Sequence, residues 1–138
     1  MKRNKAFSLL EILIGLAIIG LIASIAHPMW KNTQNKSNYE VSRIQLTEVA
    51  KAMEKHYLEK GKYPVFSDWG QLSATETPLL EYTTKVPKQD PWGREYRIIE
   101  SAEDKYQFEA LGVPGKETEY PDFSYSDGLK FKEKGKTS

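Results

Sequence analysis

Residues 5–30, KAFSLLEILIGLAIIGLIASIAHPMW, decide how this chain is organised. From Phe7 to Ala26 there are twenty residues, and only Ser8, Glu11 and Ser24 among them are polar. Twenty helical residues at ~1.5 Å each reach across the ~30 Å hydrocarbon core of a bilayer. Lys2, Arg3 and Lys5 precede the run. By the positive-inside rule they hold the N-terminus in the cytoplasm and place the rest of the chain beyond the membrane. Glu11 is out of place in such a run. A charge at the centre of a membrane span costs roughly 2.5–3.5 kcal/mol.

Three readings of this segment compete. A secretory signal peptide has a basic start, an apolar centre and small residues before the cut, as in Ser24-Ile25-Ala26. It would release a secreted binding domain after Ala26. A plain membrane anchor needs only the length. Neither has a use for Glu11. The third reading has one: a cut between Ala6 and Phe7 would give Phe7 a free amine and make Glu11 the fifth residue. A pair at ~4 Å with an effective dielectric near 20 is worth about 4 kcal/mol, comparable with the insertion penalty. The amine can belong to the same helix, where residues four apart are neighbours. It can equally belong to an adjacent helix in a bundle, where the pair would set the axial register.

The whole chain has 138 residues and a net charge of +1, enough for one modest core and no basic excess for nucleic acid. Without Lys2, Arg3 and Lys5, the 20 basic residues fall below the 19 acidic ones. Cysteine is absent, which excludes disulfides, thiolate metal sites and thiol catalysis. No Ser/His/Asp set, Gly-rich phosphate loop or paired-His spacing appears, so an enzyme is not expected.

After the span, Pro28 lacks an amide hydrogen and is expected to kink or locally open the helix, with Gly20 weakening it further. Tyr39, Ser42, Leu46, Val49, Met53 and His56 then recur at spacings of three and four, with Tyr57 beside the last. This is one buried stripe of an amphipathic helix. Glu40, Arg43, Glu48, Lys51 and Lys55 take the other face. His56 reads as a packed core histidine, and His27 as an interfacial residue beside Pro28. A single helix from Phe7 to about Lys60 would be ~80 Å long, and the small domain after it can cover only the second half. The naked half then belongs in lipid or in a bundle of identical helices.

Gly61 ends the helix and Tyr63-Pro64 opens an extended loop. Residues 65–89 mix turns with a short helix anchored by Leu72 or by Leu79-Leu80. Asp90-Pro91-Trp92-Gly93 is a tight turn, in which Asp caps, Pro fixes φ, Trp packs and Gly takes the open φ. Residues 95–99 and 105–111 alternate as strands, joined at 101–104 as a hairpin. A third strand falls near 122–126 or 129–131. The fold class is therefore α+β, a long helix on a small antiparallel sheet. The expected divisions are a leader at 1–6, a membrane and polymerisation helix at 7–30, and an amphipathic helix at 31–60. Loop and sheet follow at 61–131, and a frayed tail at 132–138.

The basic leader, AFSLLE and the apolar helix together resemble the N-terminus of type IV pilins and type II secretion pseudopilins. That resemblance implies a membrane peptidase that cuts after Ala6 and N-methylates Phe7. It also implies that Glu11 pairs during filament assembly, and it covers Gly20 and Pro28. Ala6 stands where such proteins usually carry Gly. GKYP after the helix, then KVPKQDPWGREYRI and FEALG, is similar to the major pseudopilins of type II secretion, the G family. The likeness spans roughly residues 6–112. It implies a self-polymer, a short pseudopilus that drives protein export. The implied partners are minor pseudopilins, the prepilin peptidase and N-methyltransferase, the inner-membrane assembly platform with its ATPase, and an outer-membrane secretin. The location it implies is the bacterial inner membrane, with the N-terminus cytoplasmic and the C-terminal domain periplasmic. A type IV pilin or minor pilin serving adhesion, DNA uptake or motility is the alternative. The G family also implies calcium in the loop after FEALG, with candidate donors at Leu111, Asp122 and Asp127 and further oxygens on Glu117 and Glu119. Pro114 occupies the position of that family's first loop Asp. The competing reading is a solvated acidic loop held by Tyr120, Phe123 and Tyr125.

Overall fold

The structure is a computed structural model and describes residues 8–135, the side chain of His27 excepted. The expected cleavage pair Ala6 and Phe7, the basic leader, His27's interfacial role and the last three tail residues lie outside what it describes. The described chain contains a helix α1 (Leu9–Lys60), a one-turn helix α2 (Trp69–Leu72), a 3-10 turn at Pro78–Glu81 and four strands. These strands are β1 (Arg97–Ser101), β2 (Tyr106–Ala110), β3 (Phe123–Ser126) and β4 (Lys130–Glu133). The chain divides after Lys36 into two compact units.

In the first unit, α1 is assigned without a break through Gly20 and Pro28. Every large apolar side chain from Leu9 to Trp30 is exposed within the chain, and the stretch is long and apolar enough to cross a membrane. Two of its hydroxyls bond to their own helix: the Ser24 hydroxyl donates to the Leu21 carbonyl at 2.7 Å and Thr33 to Met29 at 3.0 Å. Such back-bonding removes the hydroxyl's need for water.

The second unit holds the core. The expected stripe is buried: Ser42, Leu46, Val49 and Met53 are fully enclosed, and Tyr39 and His56 nearly so. Each large apolar side chain so buried contributes roughly 1.5–3 kcal/mol. Tyr57 is a correction. It lies one position past His56, a turn of ~100° around the helix, and is 40% exposed, resting on Tyr63 with ring centroids 4.6 Å apart.

The sheet is antiparallel in the order β1-β2-β3-β4. Tyr106, Phe108 and Ala110 of β2 and Phe123 and Tyr125 of β3 face inward, as a period of two requires. Phe108, Tyr125 and Phe131 lie opposite one another in register. Thr47 Oγ1 meets the Tyr125 hydroxyl at 2.7 Å, and the Tyr96 hydroxyl donates to Gln45 Oε1 at 2.6 Å, tying α1 to the sheet side of the core. Arg43, expected on the solvent face, lies over the Phe131 ring with Cζ 4.2 Å from its centroid, a favourable cation–π contact.

Four boundaries differ from expectation, among them the second strand, which runs 106–110 rather than 105–111. The first strand runs 97–101 rather than 95–99, because Arg94 still belongs to the preceding turn, with the Asp90 amide donating to its carbonyl at 2.7 Å. The two alternatives for a third strand are both strands, paired as the arms of one hairpin. The tail begins later than 132, since Lys132 and Glu133 belong to β4. At the sheet's two edges, β1 carries a bulge between Ile98 and Glu100, and β4 presents Lys130 and Lys132 to solvent.

Candidate functional site

Two places carry the residues singled out by the sequence. The first is the start of α1. The Ser8 hydroxyl accepts from the Glu11 amide at 3.1 Å, and the Ser8 carbonyl accepts from Ile12 at 3.2 Å. Ser8 is thus the helix N-cap, with Glu11 three residues on in the acidic first turn. S-x-x-E is a capping signal that the sequence reading did not single out. The Glu11 side chain is exposed in the chain, and the Phe7 amine proposed for it lies outside the described residues.

The second place is a junction of three loops beside the DPWG turn. Asp90 is buried, and its Oδ1 accepts from the Trp92 and Arg94 amides, each at 2.9 Å. The Gly93 amide donates to the Asp90 carbonyl at 3.0 Å, and Gly93 has φ +81°, a region where a side chain would be strained. Pro91 is exposed at the corner, and Trp92 packs partly against the core. The turn therefore forms as its residues predict. What they do not reveal is that it aims Arg94. Arg94 Nε donates to Asp90 Oδ2 at 2.9 Å, and Nη2 reaches the carbonyls of Leu111 at 3.3 Å and Gly112 at 2.8 Å.

From the other side, the Gly112 amide donates to Asp122 Oδ1 at 2.7 Å, and the Val113 amide to the Tyr120 carbonyl at 3.2 Å. Asp122 Oδ2 lies 3.9 Å from Lys134 Nζ, and the Lys134 amide donates to the Asp122 carbonyl at 2.8 Å. The loop after β2 thus crosses itself at Gly112. A Cβ there would stand 2.0 Å from the Tyr120 carbonyl oxygen.

These partners bear on calcium. The ion takes six to eight oxygens, yet the Leu111 carbonyl already faces a guanidinium, and Asp122 is shared between an amide and an ammonium. Asp127 sits apart in the β3–β4 turn, its amide bonded to the Tyr106 carbonyl at 3.2 Å. Glu117 accepts from the Gly115 amide at 3.1 Å, and Glu119 is exposed. Among the described residues no three Asp, Glu, His or Cys side chains come together to hold a metal. The donors as placed do not fit the ion.

A further network escaped the sequence. Glu54 of α1 accepts from the Tyr63 hydroxyl at 3.0 Å, the Tyr106 hydroxyl at 3.2 Å and the Gly128 amide. Burial first, and then the Glu54 carboxylate, push both tyrosines well above their ordinary pKa. Only the fold could show this, because Gly128 is 74 residues from Glu54. His56 is the packed histidine expected, its Nδ1 2.7 Å from the Lys62 carbonyl.

Residues 1–26 match the prokaryotic N-terminal methylation motif. That motif on an exposed apolar helix, followed by an α+β head built on the same helix, defines a pilin-like subunit. Residues 30–122 match the family described as type II secretion system (T2SS), protein G, and the chain belongs to that family. The type II secretion system core protein G of Klebsiella pneumoniae is 26% identical over 128 residues, covering 83% of this chain and 90% of that protein. Its counterpart in Vibrio cholerae is 25% identical over 127 residues, covering 85% and 86%. That of Escherichia coli is 26% identical over 111 residues, covering 73% and 75%. No solved structure matches the chain. These relatives favour the pseudopilin over the pilin alternative.

Proposed function

We propose that the chain is a structural subunit, cut before Phe7, that polymerises from the bacterial inner membrane into a short pseudopilus serving type II secretion. The observation that carries this reading is the first half of α1, whose large apolar side chains are all exposed. Surface of that kind must be covered by lipid or by other helices, and polymerisation moves it from the first to the second. Glu11 makes the transfer selective. Paired with a Phe7 amine of a neighbouring subunit it is neutralised, whereas a subunit out of register leaves both charges bare in a low dielectric. Pro28 has no amide hydrogen for the Ser24 carbonyl, so the helix has a weak point there. The N-terminus stays cytoplasmic and the head lies in the periplasm. The partners are the prepilin peptidase and N-methyltransferase, minor pseudopilins, the assembly platform with its ATPase, and the secretin. The chain's role is mechanical rather than catalytic.

Mass spectrometry of the mature protein from membranes tests this. An N-terminal N-methylated Phe7 is expected, and a mature protein that begins at His27 would refute the reading. Glu11→Ala should leave the protein in the membrane and abolish filaments. Normal filaments from that variant would refute the pairing.

A further inference from the structure

The carbonyls of Leu111 and Gly112 lie just beyond the end of β2, where pairing with β3 stops at Ala110 and Phe123. Gly112 is buried, and a buried carbonyl without a donor is costly. One positively charged group, Arg94, meets both oxygens and is itself anchored to the buried carboxylate of Asp90. On the far side of the same loop, Asp122 and Lys134 face each other. We infer that Arg94 is a built-in cation that closes the 111–122 loop in place of a metal ion, and that the DPWG turn is its mount.

The chemistry suits the task. A hard divalent ion at such a place would collect backbone and carboxylate oxygens from separate loops. A guanidinium does the same with fixed N–H directions, here one edge to Asp90 and one nitrogen to two carbonyls. Its positive charge also opposes a second cation at those oxygens. Asp122 is spent on the Gly112 amide rather than left open. The head then folds at any calcium level, whatever the chain's part in secretion.

The test is thermal unfolding of the full chain in detergent micelles, with excess chelator or with millimolar calcium. An ion bound at a hundredfold excess over its Kd would raise Tm by roughly 10 °C or more in a domain of this size. We expect a difference within ~1 °C, the scale of a negligible free-energy change; a rise of several degrees in calcium overturns the inference. Arg94→Gln should lower Tm by roughly 5–10 °C, as loss of charged hydrogen bonds to buried groups predicts. Arg94→Lys, which keeps the charge and loses the fork, should fall between. Hydrogen exchange separates a local from a general effect: in Arg94→Gln the Gly112 and Val113 amides should exchange faster while those of Leu46–Met53 keep their protection. Unchanged exchange at Gly112 and Val113 would overturn the assignment.

Discussion

Gly112→Ala places a methyl carbon directly against the backbone of residues 120–122. It would stand 2.0 Å from the Tyr120 oxygen, 2.8 Å from the Pro121 carbonyl carbon and 3.1 Å from the Asp122 nitrogen. Carbon contacts settle near 3.5–4.0 Å, so the 120–122 segment must retreat by more than about 1 Å. No rotamer can relieve a clash with main chain. The retreat breaks the bonds that make the crossing: Gly112 to Asp122 at 2.7 Å and Val113 to Tyr120 at 3.2 Å, with Arg94 to Gly112 at 2.8 Å weakened. Neutral bonds contribute about 1 kcal/mol each and those to charged groups about 1.5–3 kcal/mol. Loss of the Asp122 bond and one neutral bond therefore comes to roughly 3 kcal/mol, and more if strain remains. In a head of this size that lowers Tm by roughly 10–20 °C. Near-ultraviolet circular dichroism during heating of the detergent-solubilised chain reads the change. A Tm within ~2 °C of the parent, well under 1 kcal/mol, would show that the loop yields freely and that the crossing is not a fixed contact.

Other outcomes are equally specific. Glu54→Leu removes the acceptor shared by Tyr63, Tyr106 and Gly128 and should cost about 2–4 kcal/mol by stranding polar groups, read as a lower urea midpoint; no change in midpoint would mean that water replaces the carboxylate. Leu129 has φ +58° at the tip of the β3–β4 hairpin, so Leu129→Asn, a residue that tolerates this region, should raise stability by about 0.5–1 kcal/mol; a loss would mean that the leucine's contacts outweigh its strain. Tyr39 is pushed up from 10.0 to about 12, chiefly by burial and then by the charge of Glu133, and Tyr96 is raised by burial and Asp90. A raised folded pKa contributes stability that is whole below pH 10 and fades as the pH climbs to about 12. Unfolding midpoints should therefore fall steeply above pH 10, and a flat profile from pH 9 to about 12 would refute the burial of these hydroxyls.

The parts of the fold that were legible are those written in local spacing. The 39–56 stripe follows from helical period, and its one error, Tyr57, arises because a neighbour in sequence is a quarter-turn away on a helix. Asp90 to Gly93 declared their turn through residue type alone. The hairpin of β3 and β4 looked like two rival strands because neither arm is apolar throughout, and the turn between them uses Leu129 in a conformation its type disfavours. The candidate site was harder. Glu54 and Arg94 each find partners from distant segments, and an exposed charge and a buried one look alike in sequence. Asp122 was singled out for its oxygens, and in the structure one of them accepts from the Gly112 amide. Only the crossing at Gly112 decides that.

The bulge in β1 and the lysines of β4 have a consequence for how a polymer of this subunit must grow. A sheet with two free edges can recruit strands from its neighbours, and such cross-strand stacks are close to irreversible. The bulge distorts one edge and a row of ammonium groups repels a like edge at the other, so the head cannot take part in that chemistry. On the proposed reading, growth is then left to helix against helix, held by packing and by the pairing of Glu11. A fibre proposed on those terms shares no strand between heads, so it comes apart by parting helices alone.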